Sequence, residues 1–187
     1  MKVVFATPTI VRPHDAYLAA LGASIPLLDA AGIDHLAVYE VGNPYISYAR
    51  ALLLRKAMDA QADMVVFADH DVSWRPPDLL KLIETPGEVV AGTYRFKKDE
   101  EEYMGGFYTT PEGRPIVRDG GVLKSNRVPA GFLKITKEGV DRFMRAYPNL
   151  TYGPRYNPSV DLFNHGVLDD GIWYGEDMAF SKRLSEA

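Results

Sequence analysis

Asp69 and Asp71, two carboxylates separated by one residue in MVVFADHDVSW (64–74), are the residues of this chain best suited to chemistry. Successive side chains of a strand point to opposite sides, so Asp69 and Asp71 project together while His70 turns away into the fold. Two carboxylates so placed repel, which leaves one protonated or draws in a cation. A divalent ion is the natural partner: Mg²⁺ or Mn²⁺ takes one or two carboxylates and fills its shell with phosphate and water. The competing reading makes Asp69 a turn cap and Asp71 a solvated residue. A second acidic pair, Glu176 and Asp177 in WYGEDMAF, opens a helix, where the dipole alone already favours carboxylates. Arg50 lies near the start of another helix, where a cation and the dipole together attract phosphate. His165, in LFNHGVLDDG, is either a solvated loop residue or a third metal ligand, since imidazole suits Mn²⁺. Trp173 and Tyr174 can stack on a sugar or pack into a core. Lys97 and Lys98 open a mixed-charge run that is either solvated or reaches phosphate.

The elements that must position these groups are legible as alternating patterns. KVVFATP (2–8), HLAVYEV (35–41), MVVFAD (64–69) and EVVAGTYRF (88–96) read as strands. Between them, residues 15–31, 43–61 and 76–84 read as helices. Pro26 should kink or divide the first, Asn43 or Ser47 should cap the second, and Pro76 starts the third. This alternation predicts an α/β fold with a mostly parallel central sheet, and Asp69 and Asp71 fall at the carboxyl edge where such sheets hold ligands. The second half differs. Residues 97–121 read as loops with a hairpin, AGFLKITKEGVDRFMRAYP (130–148) as a strand and then a helix capped by Thr136, 149–171 as a long functional loop, and 175–187 as a closing helix.

With 187 residues, 47% of them hydrophobic and 25% charged, the chain suits one globular domain, 1–187, able to bury its own core. The formal net charge of -4 gives no global signal for nucleic acid or an anionic membrane. The absence of cysteine excludes disulfides and thiolate metal sites and fits a reducing compartment. MKVVFATPTI is too short a run for a signal peptide, and no stretch reaches the roughly 20 apolar residues of a membrane span. The expectation is a cytoplasmic protein.

Five segments in order, FATPT (5–9), YISYARALLLRKAM (45–58), ADMVVFADHDVSW (62–74), VPAGFLKITKEGVDRF (128–143) and WYGEDMAFSKR (173–183), make the chain resemble nucleotide-sugar-dependent glycosyltransferases of the GT-A fold, of the family 2-like and phage types. The resemblance implies a Rossmann-like nucleotide-binding half (1–96), a smaller acceptor-side half (97–187) and a hexosyltransferase-like activity. It places Thr7, Pro8 and Thr9 at the nucleobase, Arg50 near the nucleotide, and Asp69 on ribose or metal. Asp71 would ligate the Mn²⁺ or Mg²⁺ that bridges the diphosphate, and Ala130 and Gly131 would lie under the donor sugar or acceptor. Glu176 or Asp177 would be the base, with inversion at the sugar. In such enzymes a downstream histidine often completes the metal site; only ten residues follow Asp177 here and none is His, which leaves His165 or water for that place. The donor implied is a nucleoside-diphosphate sugar, a UDP-sugar first among them. The acceptor is open: nucleic acid is not indicated, though a modified base remains among the acceptors considered. The alternatives are a nucleotidyltransferase, for which a Gly-rich phosphate loop is missing from ATPTIVRPHD, and a module that binds a nucleotide sugar without turnover.

Overall fold

The computed structural model describes all 187 residues. Its first half follows the alternation of the sequence: β1 (Lys2–Thr9), α1 (Asp15–Ala30), β2 (Asp34–Val41), α2 (Ile46–Asp59), β3 (Met64–Ala68), α3 (Pro76–Glu84) and β4 (Val89–Ala91). Four two- or three-residue strands follow: β5 (Gly106–Phe107), β6 (Val117–Arg118), β7 (Val122–Leu123) and β8 (Ser125–Arg127). Then come β9 (Phe132–Thr136), α4 (Lys137–Ala146), the short strands β10 (Thr151–Tyr152), β11 (Ser159–Val160), β12 (Gly166–Val167) and β13 (Trp173–Tyr174), and finally α5 (Glu176–Glu186). No helix is long and apolar enough to cross a membrane.

The central sheet has the order β2-β1-β3-β9-β4. β1 pairs in parallel with β2 and β3, but β9 is antiparallel to both β3 and β4. The sheet is therefore mixed, which corrects the expectation of a mostly parallel one. The chain leaves β3 through α3 and returns as β4 two strand positions away, and β9 fills the gap between them from the opposite direction. A division of the chain at residue 96 would run through this sheet, since β9 belongs to the second half and lies between two strands of the first.

Strand alternation builds a core on each face. Val4, Ala6, Val65, Phe67, Leu133 and Ile135 pack with Leu53, Leu54 and Ala57 of α2, Val140 and Phe143 of α4, and Phe180 of α5. Val3, Phe5, Met64, Val66 and Phe132 face the other way, onto Tyr17, Leu21 and Leu28 of α1 and Leu79, Leu82 and Ile83 of α3. Lys134 of β9 is buried on that second side, where its ammonium donates to the carbonyls of Ile83 (3.2 Å) and Thr85 at the end of α3.

Three local expectations change. Pro26 does not divide α1; the helix runs through it with Leu21, Ser24 and Leu28 buried on either side. Neither Asn43 nor Ser47 caps α2 by side chain. Tyr45 is its N-cap, and Asn43 Oδ1 accepts from the Tyr45 N–H at 3.1 Å. β4 ends at Ala91, short of the 88–96 expected; the Gly92 N–H still donates to the Phe132 carbonyl at 2.9 Å, and only glycine fits there, since a Cβ would stand 2.5 Å from the Phe132 ring. Thr136 does cap α4, accepting from the Gly139 N–H at 3.3 Å.

Candidate functional site

The antiparallel entry of β9 is what assembles the site. Its first residue, Phe132, lies opposite Ala68, the last of β3, and the Asp69 N–H donates to the Gly131 carbonyl at 2.9 Å. β4 runs antiparallel to β9, so the chain beyond it delivers Tyr94 to the same edge. The Tyr94 hydroxyl accepts the Gly131 N–H at 3.0 Å. Gly131 has no alternative here: a Cβ would collide with the Tyr94 hydroxyl and lie 2.7 Å from Asp69 Oδ2.

These groups open on a cleft of ≈ 420 Å³, lined by Ile46, Arg50, Asp69, Tyr94, Met104, Ala130, Gly131, His165, Trp173, Gly175, Glu176 and Asp177. That volume lies in the range of small-ligand sites. Eight residues singled out in the sequence, Arg50, Asp69, Ala130, Gly131, His165, Trp173, Glu176 and Asp177, meet in this one cleft.

Arg50 is the centre of its charge. Its side chain is only 2% exposed, yet its Nη2 donates to Asp69 Oδ1 at 2.9 Å and its Nη1 pairs with Glu176 Oε1. The guanidinium also stands 5.1 Å from the centroid of the Phe163 ring, so it closes the core on one side and the cleft on the other. Burial alone would lower its pKa; the charges of Asp69 and Glu176 outweigh that and raise it. Its Nε is buried with no partner. Tyr94 is pushed up to about 12, first by burial and then by the charge of Asp69. Its hydroxyl is therefore neutral at physiological pH.

Asp71 does not line the cleft. It is partly buried beside it, paired through Oδ2 with the ammonium of Lys97. Burial pushes its carboxyl up, but the hydrogen bond and charge of Lys97 prevail and hold it below the usual carboxylate range. Asp177 is engaged by none of the cleft's cations; its Oδ1 accepts only from the Met178 N–H at 2.8 Å, in the first turn of α5. His165 reaches the cleft because the loop before it is pinned: Leu162 and Phe163 enter the core, and Arg183 donates to the Asn164 carbonyl. Its ring stands 6.0 Å from that of Trp173, which is 64% exposed at the cleft rim.

Thr7, Pro8 and Thr9 are not brought into this cleft. All three are buried at the end of β1, and Thr7 Oγ1 is 2.5 Å from the Tyr17 hydroxyl. His70 is partly buried, its ring edge-on to His14 at 5.3 Å. Sequence reasoning missed Tyr94, Met104 and Ile46. Tyr94 sits in a segment that reads as a strand and Met104 in one that reads as loops with a hairpin, and only the pairing of the Met104 N–H with the Tyr94 carbonyl brings the two together.

No three His, Asp or Glu side chains are gathered closely enough to chelate a metal by themselves, so Asp69, Asp71 and His165 do not form a ready-made ligand set. A Mg²⁺ or Mn²⁺ taking one or two carboxylates and phosphate oxygens would have to draw on Asp69 and Asp71, each of which is paired with a cationic side chain. Asp71 already holds a cation, the Lys97 ammonium, on an exposed and replaceable stem, whereas the Asp69 partner, Arg50, is fixed in the core.

The fold and site define an α/β protein with a mixed five-stranded sheet and an acidic, arginine-centred cleft at the carboxyl edge of its parallel strands. The chain matches no protein-family model and no curated sequence.

Proposed function

We propose that this protein is a GT-A-like glycosyltransferase that moves a sugar from a nucleoside-diphosphate donor to an acceptor hydroxyl with the help of Mg²⁺ or Mn²⁺. The observation that carries the reading is the convergence, in one cleft, of Arg50, Asp69, Gly131 and Asp177 from four of the motif segments that resemble such enzymes. The fifth segment, with Thr7 to Thr9, ends at the same sheet edge without lining the cleft.

In this mechanism Asp69 and Asp71 would hold the metal, which would supply Lewis-acid stabilisation of the diphosphate leaving group. The acceptor oxygen attacks the anomeric carbon and the bond from that carbon to the phosphate oxygen breaks, its electron pair leaving with the diphosphate. The acceptor proton passes to a carboxylate. Asp177 suits that role better than Glu176, because Glu176 is committed to Arg50 while Asp177 is not. Tyr94 and Gly131 form a wall that is neutral at its hydroxyl, fit to orient the sugar.

The test is a nucleotide-sugar panel scored by thermal shift with and without Mn²⁺, on the wild type and Asp71→Ala, followed by an assay for released nucleoside diphosphate. Ligand binding raises the apparent stability by mass action. A metal-dependent shift lost in Asp71→Ala, with donor consumption, supports the reading. Binding without release would favour the second reading, a nucleotide-sugar-binding module; no shift with any nucleotide would sink both.

A further inference from the structure

The wall of the cleft contributed by Tyr94 and Met104 is an irregular hairpin. The Met104 N–H donates to the Tyr94 carbonyl and the Phe96 N–H to the Glu102 carbonyl, each at 2.8 Å, and Arg95 pairs with Tyr103 between them. Its tip is the charged run from Lys97 to Glu102. At its far foot Gly105 has φ +122°, a conformation closed to L side chains.

This hairpin is tied to the sheet edge at two unlike points, one just before β9 and one just after β3. One is the hydrogen bond from the Gly131 N–H to the Tyr94 hydroxyl, beside Asp69. The other is the ion pair of Lys97 with Asp71. The Lys97 side chain is 83% exposed and belongs to the hairpin tip, while Asp71, at 18%, belongs to the rigid frame. A hydrated ammonium on a flexible stem is the more readily displaced partner. Lys98 does not duplicate it, being paired across the hairpin with Glu102.

We propose that Lys97 is a resident monovalent cation at Asp71 that is exchanged for the divalent metal, and that on release it turns to the diphosphate the metal brings. The identities of metal and diphosphate rest on the glycosyltransferase reading; the exchange at Asp71 does not need turnover. One carboxylate oxygen cannot hold an ammonium and a divalent ion together without their repelling each other. The displaced ammonium stays within a side chain's length of Asp71, where phosphate oxygens around the metal offer new acceptors. Lys97 thus opposes the metal when no nucleotide is present and helps hold the nucleotide when both are. An exposed pair is weak, so the opposition amounts to about two- to fivefold in metal affinity.

The opposite signs make the test. Mn²⁺ affinity is measured by the electron paramagnetic resonance of free Mn²⁺, and UDP affinity by calorimetry at saturating Mn²⁺, for wild type, Lys97→Met and Asp71→Asn. Hydrogen exchange of residues 93–105 is followed in the same proteins. Lys97→Met should bind Mn²⁺ alone about two- to fivefold more tightly and UDP in the presence of Mn²⁺ several-fold more weakly. Mn²⁺ should speed exchange in 93–105 of the wild type, and Asp71→Asn should show the faster exchange with no metal added. Unchanged or weaker Mn²⁺ affinity in Lys97→Met overturns the exchange, as does Mn²⁺ that is not retained even with UDP, or hydrogen exchange indifferent to Mn²⁺. Unchanged UDP affinity overturns the phosphate role. Free UDP release from a UDP-sugar, assayed on the same samples, separates this from the function: turnover without the Mn²⁺ effect leaves the function standing, and the Mn²⁺ effect without turnover leaves the exchange standing.

Discussion

Arg50 Nη2 lies 2.9 Å from Asp69 Oδ1, and the arginine is almost wholly buried while the aspartate side chain keeps 29% of its surface. The first carboxylate of the Asp-His-Asp run is thus held from below by the core and presented upward to the cleft. Glu176, 126 residues away from Arg50 in the chain, completes the bridge. Removing the arginine strips two carboxylates of their only cation. Arg50→Met should destabilise the fold by about 2–4 kcal/mol, below the full cost of breaking a buried pair because both carboxylates retain some water. Urea denaturation with an unchanged slope would report it; a loss under about 1 kcal/mol would mean that the bridge is ornamental.

Gly131→Ala places a methyl group against the Tyr94 hydroxyl and Asp69. The expected cost is about 1–3 kcal/mol, as for other overpacked sites. Tyr94→Phe in the same protein removes the oxygen that the methyl meets, so the two changes should be less damaging together than their sum. Strict additivity in thermal or urea unfolding would disprove the contact.

The acid limb of stability should carry Asp71. Its carboxyl titrates lower in the fold than in the unfolded chain, so the unfolded chain binds more protons as pH falls. The contribution is complete at neutral pH, starts to fade on entering the ordinary carboxylate range near about pH 4, and is lost as pH falls through the lowered folded value. Urea midpoints measured down this range should fall less steeply for Asp71→Asn than for the wild type. Parallel curves would show that Lys97 does not hold this carboxylate in solution.

Asp177 and Glu176 should separate by kind of damage. Asp177→Asn is expected to lower kcat by about 10²–10⁴-fold with little change in donor KM, the usual worth of a general base. Glu176→Gln should act mainly on stability through Arg50. Equal losses of kcat with intact stability in both variants would return the base assignment to the pair.

His165 lines the cleft but joins no three-ligand cluster. His165→Ala should leave Mn²⁺-dependent nucleotide binding within about twofold, since water can complete the shell of such an ion. A loss of tenfold or more in calorimetry would place the imidazole on the metal.

Much of this was written locally. The unbroken apolar runs from Val3 to Ala6 and from Met64 to Phe67 predict strands buried on both faces without knowledge of any neighbour. Helix boundaries within a few residues, the Thr136 cap and the spacing of Asp69 and Asp71 are likewise properties of short windows of chain. The direction of β9 is not. Phe132–Thr136 reads as a strand whichever way it runs, and only its insertion between β3 and β4 brings Gly131 to Asp69. The stretch 92–96 carries strand-forming residues, but β4 ends at Ala91, and Tyr94 reaches the cleft through its contact with Gly131, far off in the chain. From the sequence Arg50 is a residue near a helix start, placed to attract phosphate or merely solvated; it is buried because Phe163, Asp69 and Glu176 arrive around it from three other segments. Sequence by itself determined the elements and their two faces, because backbone preference and side-chain period act over a few residues. Tertiary structure alone decided which charges meet, because a pairing of side chains far apart in the chain depends on packing that no local window contains.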